Sequence, residues 1–304
     1  MIIRKNVKTL KDSEKKDLVD AITSLKRDGT YDQFVLTHNN AAMTPAPWGG
    51  DMEDAQRSMA HSGPVFLPWH REFILRFEKA LQSVVPEIAL PYWKWEDDAG
   101  LPNDHPGAVW SDDLVGGDGD PFDNCNVSSG PFSKSNNWNI VCGSGDKDGF
   151  LQRCFGKLQP GFQQLPDAND VSYAMGIGTY DQAPWSEASM GSFRNTLEGW
   201  IGINKGPPEL HNRVHCWVGG SMFPMTSPND PVFFLHHSNV DRIWAEWQDK
   251  YRNLPYMPRS GGPNGHNLND PMYPWNDHTP GDVLDCRKLG YSYDTQASLI
   301  EMRL

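Results

Sequence analysis

Imidazole is the reactive group this chain carries in excess. Ten histidines occur in 304 residues, and six of them fall into two sets of three. His38, His61 and His70 make the first set; His211, His215 and His237 make the second. In "HNRVH", residues 211 to 215, the i, i+4 spacing sends both side chains from one face of one helical turn, where they can bind a single ion. The stretch "DPVFFLHHSNVDRIW", residues 230 to 244, sets His236 beside His237 in an apolar, aromatic run. At about 100° per residue the two rings diverge, so at most one of them is expected to face a given site. A lone buried histidine is ordinarily a neutral core group bonded to a carbonyl or carboxylate. Company on separate helices turns the expectation to metal.

Six imidazoles with no thiolate or carboxylate among them disfavour magnesium, calcium and iron–sulfur clusters, and leave copper, zinc or nickel. A lone three-histidine zinc site would be hydrolytic, and the H-E-x-x-H protease signature is absent. Two three-histidine sites facing each other suit a pair of coppers that take up O2, because neutral nitrogen ligands tolerate both copper oxidation states.

Helical elements must position these rings. "DSEKKDLVDAITSLKR", residues 12 to 27, places Leu18, Ala21, Ile22 and Leu25 at helical spacing. "YDQFVLTHNNAAM" puts Tyr31, Phe34, Val35 and His38 on one broad face. A third helix is predicted to begin at His70, to bury Phe73, Ile74, Phe77, Ala80 and Leu81, and to stop at Pro86. Helical patterning returns from Met190, resumes at "LHNRVHCWVGG", and starts again where Asp230 can cap a helix with Pro231 in its first position. Residues 99 to 185 are rich in Gly, Asn, Asp, Ser and Pro and read as loops with a few short strands or helices, and "YSYDT" at 291 to 295 reads as a late strand. The expected fold is mainly α: a four-helix bundle holding the metal centre, surrounded by long loops and a few short strands, in one domain over residues 1 to 304.

Composition removes several function classes. The net charge is −12 and no Lys/Arg stripe could follow a phosphate backbone, so nucleic acid is not an expected partner. No apolar run approaches the roughly 20 residues of a membrane span, and "MIIRKNVKTLKDSEKK" lacks a signal-peptide apolar core. Cys125, Cys142, Cys154, Cys216 and Cys286 form no CxxC pair, and the first three lie close enough in sequence for a local disulfide.

The run "HSGPVFLPWHREFILRFE", residues 61 to 78, resembles the copper A signature of the tyrosinase family, and "DPVFFLHHSNVD", residues 230 to 241, resembles its copper B signature. With "RKN" at 4 to 6, "LPYW" at 90 to 93, "LEGW" at 197 to 200 and "LHNRVHCWVGG", the similarity covers about residues 2 to 285 and looks closest to short single-domain bacterial tyrosinases. The resemblance implies two copper ions, one held by His38, His61 and His70 and the other by His211, His215 and His237, with O2 as co-substrate and His236 as a structural neighbour. It implies o-hydroxylation of monophenols and oxidation of o-diphenols to o-quinones, the precursors of melanin. In this family a Glu and an Asn hold the water that accepts the phenolic proton; the matching residues are Glu198 and Asn212. Phe66 and Phe233 are expected to pack on ligand imidazoles, and Asp241 to pair with Arg71 or to orient a ligand histidine by accepting its second N–H.

The chain departs from the family pattern at several points. Met59 stands where fungal and plant relatives carry the cysteine of a thioether, "KGPPE" lengthens the path from Glu198 to His211, and Cys216 follows His215. No C-terminal lid domain is expected. The implied partners are a small phenolic substrate and a separate copper-delivering, caddie-like helper, and the implied location is cytoplasmic, or secreted with that helper. Two other activities remain open at this point: an oxidase restricted to o-diphenols or o-aminophenols, and an O2-binding protein of the hemocyanin kind.

Overall fold

Helix α1 (Asp12–Arg27) begins where the Glu14 carboxylate accepts the Lys11 backbone N–H at 2.9 Å, and it buries Leu18, Ala21, Ile22 and Leu25 along one stripe. Helix α2 (Thr30–Met43) starts on Asp28, whose Oδ1 accepts the Thr30 N–H at 2.9 Å, and it buries Tyr31, Val35, His38 and Ala41. The computed structural model describes residues 1–43, 58–103, 106–158, 161–201 and 209–296. Helix α3 (Phe66–Val84) begins a full turn before the predicted start at His70. Pro68 does not prevent this, because a first-turn residue needs no intrahelical N–H partner. His70 is therefore held inside a helix rather than at its frayed end.

Between α3 and the next long helix the chain runs mostly as loops, as its composition predicts. Two small antiparallel pairs interrupt it, β2 (Gly119–Asp120) with β3 (Asn126–Val127) and β4 (Asn139–Val141) with β5 (Lys147–Phe150), followed by the short helix α4 (Ala168–Met175). Helix α5 (Phe193–Glu198) is brief because Gly199, at φ +106°, turns the chain into the left-handed region and caps it. Helices α6 (Leu210–Val218) and α7 (Val232–Lys250) follow. Helix α7 starts one residue later than the sequence suggests, with Asp230 Oδ1 accepting the Val232 N–H at 3.1 Å. The late strand exists as β6 (Tyr291–Tyr293), parallel to a three-residue β1 (Ile2–Arg4) that the sequence pattern did not announce.

Helices α2, α3, α6 and α7 carry six of the clustered histidines, with His61 just before α3, and aromatic side chains lock the helices together. Phe77 of α3 stacks on Phe234 of α7 with ring centroids 3.5 Å apart, and Tyr31 and Phe34 of α2 meet Phe234 edge-on at 5.8 and 6.2 Å. A second lock is ionic. Arg4 of β1 reaches Glu78 at 2.8 Å and Asp241 at 3.3 Å, while Arg71 donates to the other oxygen of Asp241. Tyr291 and Tyr293 each donate to Asp241 at 2.6 Å, so the buried carboxylate is fully occupied by structural partners. No disulfide links Cys125, Cys142 and Cys154 in this structure. Burial pushes the Cys216 thiol up to about 11, which leaves it an inert core group.

Candidate metal centre

Two groups of imidazoles meet at the centre of the helices. His38 from α2, His70 from α3 and His61 from the segment before α3 form the first, with ring centroids 5.0, 4.9 and 5.6 Å apart. The second contains His211 and His215 from α6 with His236 and His237 from α7. In each group the nitrogens that could bind an ion lie within 4.8 Å of one another. The groups touch, because His70 stacks on His237 at 4.2 Å with 10° between the rings.

Backbone carbonyls aim four of these rings. His38 Nδ1 lies 2.7 Å from the Met225 oxygen, His70 Nδ1 2.8 Å from Phe66, His211 Nδ1 3.1 Å from Glu198 and His215 Nδ1 2.7 Å from Met222. A carbonyl only accepts, so each Nδ1 must carry the proton and each Nε2 presents a lone pair. Burial, reinforced for most of these rings by neighbouring histidines, holds them neutral: His38 falls to about 3 and His215 to about 4. The other five, His61, His70, His211, His236 and His237, lie well below the usual histidine value for the same first cause. Neutral imidazole is the form that ligates a metal.

Several nitrogens are buried without a hydrogen-bond partner among the described residues: His211 Nε2, both nitrogens of His236 and His237, and His61 Nδ1. Leaving a buried polar atom unpaired costs roughly 1–3 kcal/mol, and metal ligation would remove that cost at one nitrogen of each ligand ring. An all-nitrogen donor set with unfilled lone pairs fits copper and fits no hard, oxygen-preferring cation.

The predicted neighbours stand close by. Phe66 packs against His70 and His211, each at 4.8 Å, and Phe233 against His237 at 4.2 Å and His38 at 4.9 Å. Despite the intervening "KGPPE", most of which lies outside the described residues, Glu198 reaches His211 through its backbone oxygen. Gly199 permits this approach, since a Cβ there would lie 2.0 Å from the Glu209 oxygen. The Glu198 side chain is buried, and burial raises its carboxyl above the usual range against the opposing pull of Arg194. One carboxylate oxygen accepts the Ser62 N–H at 2.6 Å and the other accepts Arg194 Nη1 at 2.8 Å. Asn212 is half-buried and turns its Oδ1 toward His211 Nδ1 at 3.0 Å. Of the two expectations for Asp241, the contact with Arg71 forms, and its hydrogen-bond partners among the described residues, Arg4, Arg71, Tyr291 and Tyr293, include no histidine.

Two features differ from the sequence reading. Both adjacent histidines belong to the second group, although only one was expected to face it. His236 stacks on His211 at 5.0 Å while His237 turns toward His70, so two diverging rings still converge on one concave site. The ion pairs behind Glu198 were also missed: Arg194 donates to Asp181 at 2.8 Å as well as to Glu198, and all three are buried. In sequence Arg194 and Glu198 show only an i, i+4 pair, which on most helices is a solvated surface feature.

The family model described as "Common central domain of tyrosinase" matches residues 28–250. The chain belongs to the tyrosinase family. It is 45% identical over 296 residues to the tyrosinase of Streptomyces glaucescens, a match covering 97% of this chain and 100% of that protein. It is 38% identical over 315 residues to the grixazone synthase of Streptomyces griseus, covering 96% and 99% of the two. The solved polyphenol oxidase of Thermothelomyces thermophila shares its fold, with a TM-score of 0.66 over 96% of this chain and 88% of that one, at 21% identity. The tyrosinase family implies a dinuclear copper centre, and the two histidine groups suit it. Among the described residues, no helix is long and apolar enough to cross a membrane.

Proposed function

We propose that this tyrosinase-family chain oxidises phenols with O2 at two coppers, hydroxylating monophenols at the ortho position and converting o-diphenols to o-quinones. The observation that carries the proposal is the contact between two neutral, all-nitrogen groups, with His70 against His237 at 4.2 Å. His38, His61 and His70 would hold one copper, and His211, His215 and His237 the other. When bound, the pair supplies O2 uptake and accepts the electrons of the phenol.

The chain's own residues do the rest. Carbonyl-bound Nδ1–H groups keep the ligand lone pairs aimed inward, and Phe66 and Phe233 exclude water from between the groups. A phenol in water holds its proton to about pH 10, so a base must take it near neutral pH. Glu198 and Asn212 hold the water that accepts it. Support comes from the position of Glu198, whose carboxylate bonds Ser62 beside His61 and whose carbonyl bonds His211.

A second reading, an oxidase restricted to o-diphenols or o-aminophenols, is favoured by one observation. Both Glu198 oxygens and the Asn212 amide oxygen already have protein partners, which leaves less capacity for a water. We further propose one tyrosinase-type unit over residues 1 to 304, supported by the pairing of residues 2–4 with 291–293. The expectation of no lid concerns the chain from residue 297 onward, outside the described residues. A copper-delivering helper finds support in the exposed Phe223, next to the Met222 carbonyl that holds His215, and Met225, whose own carbonyl holds His38.

Oxygen uptake by copper-loaded protein, measured in parallel on a monophenol, its catechol and an o-aminophenol, separates these readings. Uptake on the monophenol and on its catechol is expected. Uptake confined to the catechol or the aminophenol would replace the hydroxylase by the narrower oxidase, and uptake on none would remove both.

A further inference from the structure

His61 is the one member of either histidine group that lies outside a helix. Its Nδ1 is buried and has no partner among the described residues, whereas His38, His70, His211 and His215 each give Nδ1–H to a carbonyl. His237 shares the missing bond but is fixed in the middle of α7 and packed at 4.2 Å against both His70 and Phe233. Met59 offers no thiol for a covalent link to the ring. Among the described residues, His61 is aimed by ring contacts with His38, His70 and Phe66 and by the path of its own backbone segment.

We infer that His266, a buried histidine outside both groups and unused by the chemistry above, positions His61 by clamping residues 58 to 65. Its Nε2 lies 3.2 Å from the Ser58 oxygen, and the Val65 N–H points to its Nδ1 at 3.5 Å. One neutral tautomer satisfies both ends: Nε2–H donates to Ser58 and the Nδ1 lone pair accepts from Val65. The segment lies flat on the ring between these points, since a Cβ on Gly63 would come within 2.6 Å of His266 Cε1 and Nδ1. His266 is itself anchored, its carbonyl accepting the Tyr256 hydroxyl at 2.7 Å. Tyr180 adds a bond to the Pro64 oxygen at 2.7 Å, and the Ser58 hydroxyl accepts the His61 N–H at 3.0 Å. Ser62, at φ +59°, lies inside the clamped segment and gives its own N–H to Glu198 at 2.6 Å. A two-point clamp on a ligand's backbone does the orienting that a carbonyl bond does for the other rings.

The inference rests on the assignment of His38, His61 and His70 to one copper. The test compares wild type with His266→Phe, His266→Gln and Gly63→Ala, using copper per chain, chelator competition, the EPR signal after oxidation, and melting of the metal-free protein. Two coupled Cu(II) ions give little EPR signal, so a half-loaded chain reveals itself as mononuclear Cu(II). His266→Phe and Gly63→Ala are expected to bind one copper about 10- to 100-fold more weakly and to show that signal. His266→Gln, whose amide can both donate and accept, should recover most of the loss, and metal-free Gly63→Ala should melt within a few degrees of wild type. Unchanged copper affinity in Gly63→Ala and His266→Phe overturns the inference, as does a loss that only follows metal-free melting. Should His266→Phe fail to fold, Gly63→Ala and His266→Gln decide it. A wild-type chain that takes up fewer than two coppers would instead overturn the dicopper assignment, and the clamp with it.

Discussion

Single residues decide how a proton leaves the substrate. Glu198 lies between the two histidine groups, touching His61's neighbour with its carboxylate and His211 with its carbonyl. If it holds the proton-accepting water, Glu198→Gln should slow hydroxylation of a monophenol by about 10²- to 10⁴-fold, the range of a lost general base, while oxidation of the matching catechol changes far less. Steady-state rates on tyramine and dopamine check this, and equal losses on both would leave Glu198 only a structural tie. At this scale much was legible in the sequence. The i, i+4 pair, the placement of histidines on separate helices and the two signatures marked all six proposed ligands. His236 lies nearer the second group than helix geometry alone suggests, because the concavity between α6 and α7 brings both diverging rings toward one site. Arg194 and His266 carry no sequence signal, since their importance comes from partners 13 and more than 200 residues away.

Helices determine whether the two groups face each other. Periodicity gave α1 and α2 closely, and it gave the apolar face of α3, but not its first turn. Pro68 and the aromatic crowding around it read as a helix start at His70, while tertiary burial of Phe66 to Trp69 extends the helix backward. The contact of α3 with α7 centres on the Phe77–Phe234 stack. Phe77→Ala should destabilise the protein by about 3–5 kcal/mol, measured by urea unfolding, because the surrounding rings cannot collapse into the space. A loss below about 1 kcal/mol would mean that the helices are held chiefly by the Arg4, Arg71, Glu78 and Asp241 network. That network joins β1 and β6 to the helices; its Asp241–Arg71 contact was legible, but the part that runs through Arg4 escaped the sequence, because a three-residue strand shows no alternation to detect.

Over the whole molecule, the buried imidazoles link folding to pH. His38 and His215 titrate near 3 and 4 in the folded chain, while an unfolded histidine titrates near 6.5. The folded values are depressed, so between those limits the unfolded chain binds more protons, and stability falls as pH drops. Metal-free protein should be at its most stable above about pH 6.5 and should lose melting temperature steadily toward pH 4; copper loading should raise the whole curve at neutral pH. A metal-free melting temperature that stays flat from pH 7 to 5 would show that these rings are solvated rather than buried neutral.

Anomalous diffraction at the copper edge from copper-loaded crystals tests the dicopper assignment most directly. Two peaks per chain are expected, one bonded by His38, His61 and His70 and the other by His211, His215 and His237, with His236 outside the bonding distance. A single peak, an edge that belongs to zinc, or a second ion bonded by His236 in place of His237 would contradict it.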